Sequence, residues 1–142
     1  MIYIRPSLPG DTWLILQDLR EAEVKELEAL GITSEVNVRY GLMHSQAHTV
    51  MINDEPVGIF GLMDYGDHVV PWGVFTTVID RHPLPFLRAC KRWANNLKGP
   101  AVNVVDARNF QAVKWFKWMG FEVSEPVRHG LNGELFREVR VS

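Results

Sequence analysis

At 142 residues the chain has room for one domain, spanning residues 1–142, of a size that buries roughly two thirds of its unfolded surface. A net charge of −2, with 46% hydrophobic and 23% charged residues, argues against a nucleic-acid-binding module, which would present a basic face. One cysteine, Cys90, excludes an internal disulfide and a cysteine-rich metal site. No secretory leader follows Met1 and no apolar run approaches ~18 residues, so the chain is expected to be cytoplasmic, with neither membrane nor metal.

Residues 1–5 alternate apolar and polar, the pattern of a short strand. Pro6 to Gly10 breaks it, and Asp11 or Thr12 can cap a helix predicted from Trp13 to Leu30, with Leu16, Leu19, Leu27 and Leu30 near one face. Gly31 stops that helix. Thr33 and Ser34 can cap a second one to about Tyr40, and Gly41 to Gln46 reads as a loop. His48–Ile52 and the run from Pro56 to Met63 form a predicted hairpin around Asn53-Asp54-Glu55. A turn at Tyr65-Gly66-Asp67 precedes a strand predicted from about His68 to Ile79.

Pro83 and Pro85 suit the start of a helix and not its interior. Phe86, Leu87, Cys90, Trp93, Ala94 and Leu97 would face inward, which makes Cys90 a packed thiol rather than a nucleophile. Gly99-Pro100 ends this helix, and residues 101–105 are apolar enough for a central strand. Asn109 can then cap a helix whose Ala112, Val113, Phe116 and Met119 share one face, with Gly120 as its stop. Phe121 to Val123 and Glu134 to Val141 read as the closing strands.

Asn109, Ala112, Phe116, Gly120 and Phe121 fall at the spacing of the N-x-x-A-x-x-φ-Y-x-x-x-G-F signature. With the order of elements and the hairpin around Glu55 to Gly61, they make the chain resemble the GCN5-related N-acetyltransferases (GNAT). The resemblance implies an α/β domain with a mixed, mostly antiparallel sheet of about six or seven strands and helices on both faces. It also implies acetyl-CoA as cofactor and transfer of acetyl to an amine. A narrower resemblance rests on Ile4-Arg5-Pro6, on Ala29-Leu30-Gly31-Ile32 and on Trp72 to Thr77. These look like the GNAT-like internal virion protein A family of T7-like phages. That likeness implies a bacteriophage protein, virion-associated or host-directed, which could act by binding another protein without catalysis.

GNAT enzymes hold the CoA pyrophosphate on backbone N–H groups of a [QR]-x-x-G-x-[GA] stretch at a helix start. No glycine lies between Gly73 and Gly99 here, and Pro83 and Pro85 lack the N–H that such a cradle uses. Either Arg81, His82 and Arg88 replace the cradle with side-chain contacts, or the prolines simply start a helix beside a solvated basic face. The family's usual tyrosine acid corresponds to Phe116, which has no proton to give. Asn109 matches the family's cofactor-contacting asparagine, and it equally fits an N-cap. Backbone N–H groups at Val74, Phe75 and Thr76 would polarise the thioester carbonyl.

Asp106, at the carboxyl end of its strand, is the candidate catalytic base. It shares with Asp64, Asp67 and His68 the plainer reading of turn chemistry. Trp118 lies with Gln111 and Lys114 on the side away from Phe116 and Met119. That position predicts either an anchor for self-association or a protein partner, or a ring covered by the Pro126 to Gly133 loop.

Overall fold

The computed structural model describes all residues from Met1 to Ser142. Its strands are β1 (Ile2–Pro6), β2 (His48–Ile52), β3 (Glu55–Asp64), β4 (Val69–Phe75), β5 (Ala101–Asp106), β6 (Glu122–Val123), β7 (Val127–Arg128) and β8 (Leu135–Val141). The helices are α1 (Pro9–Leu16), α2 (Glu21–Ala29), α3 (Ser34–His44), α4 (Pro83–Asn95) and α5 (Phe110–Trp118). One sheet runs β1-β2-β3-β4-β5-β8-β6, with β7 also paired to β8. Every pairing is antiparallel except β4 with β5.

The β2–β3 turn follows the sequence closely. Asn53 and Asp54 take positive φ values of 50° and 63°, the two-residue turn whose twist suits a hairpin. Ile52 therefore pairs with Glu55, and β3 begins one residue before the expected Pro56. Further along, Val50 pairs with Gly58 and Met51 with Pro56, so Val57 is an unpaired bulge whose side chain is fully buried.

Helices α1, α2 and α3 cover one face of the sheet. Ile15 and Val38 pack there on Ile59 and Val74. On the other face, Phe86 of α4 meets Val50, Ile52 and Val57, while Val113 of α5 meets Val105 and Val139. The sheet thus separates two apolar layers, and each strand feeds both by alternating its side chains.

Four expected boundaries are corrected. The helix expected over residues 13–30 is two helices, because the chain breaks at Gln17 to Arg20 to dock on the end of β4. Leu19 bridges to Thr76, Arg20 N–H donates to Phe75 O at 3.2 Å, and Thr77 N–H donates to Asp18 O at 3.1 Å. Asp11 is not a cap but the third residue of α1, where its Oδ2 accepts the Leu8 N–H at 2.8 Å. Gly41 does not end α3: it lies on the helix's buried side, where any Cβ would run into the Trp72 indole. Lastly β4 stops at Phe75, and Thr77 to Arg81 form a 3₁₀ turn capped by the Thr76 hydroxyl.

Candidate active site

Parallel strands β4 and β5 pair only at Val69 and Ala101, after which they diverge. The ladder geometry fixes what the divergence exposes. Thr76 N–H donates to Val57 O, so the alternate residues 75, 73 and 71 turn their backbone groups away from β3 and toward β5. Phe75 O is taken by Arg20, and Pro71 O accepts the Asn103 side-chain amide across the gap. Gly73 is left with its N–H and C=O facing the gap and no strand partner.

The gap is a cleft of about 140 Å³, and 15 of its 21 lining residues are hydrophobic. Its aromatic wall is Phe75, Phe86 and Trp115, joined edge to face at 5.2 Å, 5.0 Å and 6.3 Å between centroids. Asn103, Val104 and Val105 of β5 line the opposite side. Phe116 also lines the cleft and packs edge to face on Phe121 at 5.0 Å.

Two carboxylates of α2, Glu23 and Glu26, complete the lining. Burial pushes Glu23 up to about 8, helped by the neighbouring Glu26 and only partly offset by Arg20 and the Phe75 N–H. Burial likewise raises Glu26 to about 7, although its Oε1 accepts the Asp106 N–H at 2.7 Å. Arg20 crosses the wide end of the gap. Its Nη2 donates to Gln111 Oε1 at 2.6 Å, its Nε reaches Asp80 at 3.4 Å, and its Cζ sits 4.8 Å over the Trp115 ring. Nη1, 3.7 Å from Glu23 Oε1, is buried without a hydrogen-bond partner.

Positions named from the sequence fall unevenly about this cleft. Phe75 and Asn109 line it, and Asn109 also caps α5, accepting the Ala112 N–H at 3.2 Å. Val74 faces the opposite layer, and both Val74 and Thr76 direct their N–H groups to β3, so neither supplies a free donor. Asp106 is 1% exposed and closed on Arg108, which approaches it at 2.6 Å and 3.0 Å and also donates its backbone N–H at 2.8 Å. Burial alone would raise this carboxyl, but Arg108 outweighs it and holds the group below the usual range.

At the start of α4, His82 is the N-cap, Pro83 and Pro85 carry no N–H, and Phe86 N–H is spent on His82 O. Leu84 alone has a first-turn N–H free, while the Arg81 and Arg88 side chains are exposed. Cys90 borders the cleft as a packed thiol, pushed up to about 12 by burial. No three His, Cys, Asp or Glu side chains gather as a metal would need. Trp118 is 51% exposed; its Nε1–H reaches Leu87 O at 3.3 Å, and Lys91 lies 5.6 Å over its ring. The Pro126 to Gly133 loop docks elsewhere, with Leu131 N–H on Ala29 O of α2.

Sequence reasoning missed Arg20, Glu23 and Glu26. They read as the polar residues of one long amphipathic helix, and only the break at residues 17–20 turns them toward the cleft.

No protein-family model matches the chain, and no curated protein matches it in sequence. Solved structures do match in shape. A spermidine N-acetyltransferase from Vibrio cholerae, in complex with CoA and spermine, superposes with a TM-score of 0.70 at 13% identity, over 99% of this chain and 94% of that one. An aminoglycoside N(6')-acetyltransferase from Legionella pneumophila gives 0.72 at 11% identity, over 99% and 91%. Ard1 from Thermoplasma volcanium gives 0.69 at 14%, over 99% and 96%. The chain therefore has a GNAT-like fold: one α/β unit, five helices, and a mixed, mostly antiparallel sheet.

Proposed function

We propose that the chain is an acyl-CoA N-acyltransferase-type protein that uses the cleft between β4 and β5. The observation that carries this reading is the open β4 edge, where Gly73 presents an unpaired N–H and C=O to an apolar, partly enclosed space. Such an edge fits an extended, amide-bearing arm, which can pair with it as a strand would. Acetyl-CoA, when bound, supplies an acetyl group activated as a thioester. The Gly73 N–H is placed to donate to a carbonyl held in the cleft, and the aromatic wall keeps water from it.

The phosphate end fits differently from the family's pattern. A backbone cradle is absent at Pro83 and Pro85, so exposed Arg81 and Arg88, with His82, would meet the phosphates through their side chains. Asn109, on the cleft wall, would contact the arm. α5 carries no tyrosine to protonate the leaving thiolate: Phe116, which has no O–H, stands at that position and packs on Phe121. A base is needed where the amine arrives protonated, and the proton lost as the amide forms would pass to the departing thiolate; Asp106, closed on Arg108, is poorly placed to take either.

A second reading has its own observation. Beyond Phe75 the β4 edge is filled by the chain's own Asp18 to Arg20 segment, which shortens the open edge. That supports a GNAT-fold domain without catalysis, working through protein contacts such as the Trp118 surface. The likeness to T7-type internal virion proteins supports a bacteriophage origin and a host-directed or virion role in host takeover. A thermal shift with acetyl-CoA separates the two. Cofactor at about 100 times its dissociation constant should stabilise the chain by about 2.7 kcal/mol. Arg81→Ala should weaken that binding most at low salt, as a lost phosphate contact does. No shift at millimolar cofactor would leave the binding-protein reading.

A further inference from the structure

Glu23 and Glu26 stand three residues apart on α2 at the wide end of the cleft, beside Arg20, and the acyl-transfer reading assigns them nothing. Glu23 is 8% exposed, and its nearest cation is Arg20 Nη1 at 3.7 Å, beyond hydrogen-bond length. That Nη1 is itself buried without a partner, in a side chain only 8% exposed. Glu23 thus holds the Phe75 N–H and a loose ion pair, while Nη1 is left without a hydrogen bond, which buried polar groups rarely are.

The charges around this end do not balance. Asp106 from β5 is matched by Arg108 at 2.6 Å, and Asp80 from the 3₁₀ turn lies 3.4 Å from Arg20. Arg20 is thus shared between Asp80 and Glu23, which it meets only at 3.7 Å, and Glu26 has no cation at ion-pair distance. Burying carboxylates without a cation is costly, and a ligand that brings one removes the cost. The rest of the cleft is apolar, with Phe75, Phe86 and Trp115 as its wall. The cleft as a whole offers roughly 140 Å³, so without a cofactor arm in it there is room for about one benzene-sized ring, which takes ~150 Å³.

We propose that this end of the cleft binds a primary ammonium ion carried on an apolar, ring-sized body, with Glu23 and Glu26 recognising the charge. Arg20 is a positioning residue, keeping Glu23 turned toward the cleft from its anchorage on Gln111 and Trp115. A polyamine fits less well, since its further ammonium groups would be buried in the apolar remainder of the cleft with no carboxylate to meet them. The site is complete in the chain alone. If acyl transfer also operates here, the ammonium is its acceptor once deprotonated.

Calorimetric titration without any cofactor tests the site, so a failure to bind acetyl-CoA does not bear on it. The probes are 2-phenylethylamine, the near-isosteric 2-phenylethanol, and spermidine. The chain should bind the amine at least about tenfold tighter than the alcohol, the scale of a hydrogen bond to a charged group. It should also bind the amine tighter than spermidine. Glu23→Gln and Glu26→Gln should each reduce the amine's advantage over the alcohol while leaving the alcohol's affinity unchanged. Equal affinity for amine and alcohol, a preference for spermidine, or Gln variants that keep the full amine advantage would overturn the proposal. Should neither variant fold, the amine-to-alcohol ratio of the parent decides alone.

Discussion

Glu26→Gln is the substitution whose effect can be worked out most fully. The carboxyl titrates near 4.5 in an unfolded chain and is raised to about 7 by burial in the fold. Below about pH 4.5 it is protonated in both states, and the fold keeps its full stability. As pH rises toward 7 the unfolded chain ionises freely while the folded carboxyl resists, so stability falls, and above about 7 the fall stops. At 1.36 kcal/mol per pKa unit, the loss is at most ~3 kcal/mol. Gln is neutral at every pH and keeps an oxygen to accept the Asp106 N–H.

The variant should therefore match the parent near pH 4 and exceed it by up to ~3 kcal/mol at pH 8. Glu23, raised to about 8 on the same helix chiefly by burial, adds a slope that persists in the variant, lessened by the loss of the Glu26 charge, and continues to higher pH. Urea unfolding at intervals from pH 4 to 8 measures this directly. A variant with the parent's full pH slope, or one less stable than the parent at pH 8, would refute the placement of Glu26 as a buried, raised carboxyl.

Asp11 works in the opposite sense. Arg5 first, then the Leu8 N–H and the Thr49 hydroxyl, hold it at about 2, so its contribution is full above the unfolded value of 3.8 and lost as pH falls toward 2. Asp11→Asn should cost about 2 kcal/mol at pH 7 and flatten the acid limb, and an unchanged acid limb in urea melts would discount the Arg5 pair. Asn109→Ala should cost about 1 kcal/mol as a lost cap, and a loss of acetyl-CoA affinity beyond that cost would make it a cofactor contact as well. Trp118→Ala, at a half-exposed ring, should leave stability within about 1 kcal/mol and weaken any self-association seen by sedimentation, typically by ~2 kcal/mol for such an anchor. A destabilisation near ~3 kcal/mol, the scale of a buried Trp→Ala change, would place the ring in the core instead.

Local chemistry made most of the fold legible. Asn53-Asp54 wrote the hairpin into the sequence, Asn109 and Gly120 bracketed α5, and Pro83 marked the first turn of α4. The misread boundaries all depend on partners distant in sequence. Gly41 looks like a helix stop until Trp72, 31 residues on, is seen against it. Residues 17–20 look helical until the end of β4 offers them Phe75 O and the following turn the Thr77 N–H, a tertiary pairing that local propensity does not report. The candidate site suffered for the same reason. Phe75 and Asn109 could be placed from the strand and helix they belong to, whereas Glu23 and Glu26 face the cleft only because that break reorients α2. Asp106 is a different case: its partner Arg108 is only two residues away, and the plainer reading of turn chemistry is the one its contacts fit.

The most direct test of the account is release of free CoA thiol from acetyl-CoA, followed by a thiol-reactive dye, with purified protein and a panel of primary amines. Release should depend on both protein and amine, and should fall when Gly73 is replaced by proline, which removes the N–H facing the cleft. No amine-dependent release at millimolar acetyl-CoA, from a chain that remains folded, would contradict acyl transfer in this cleft.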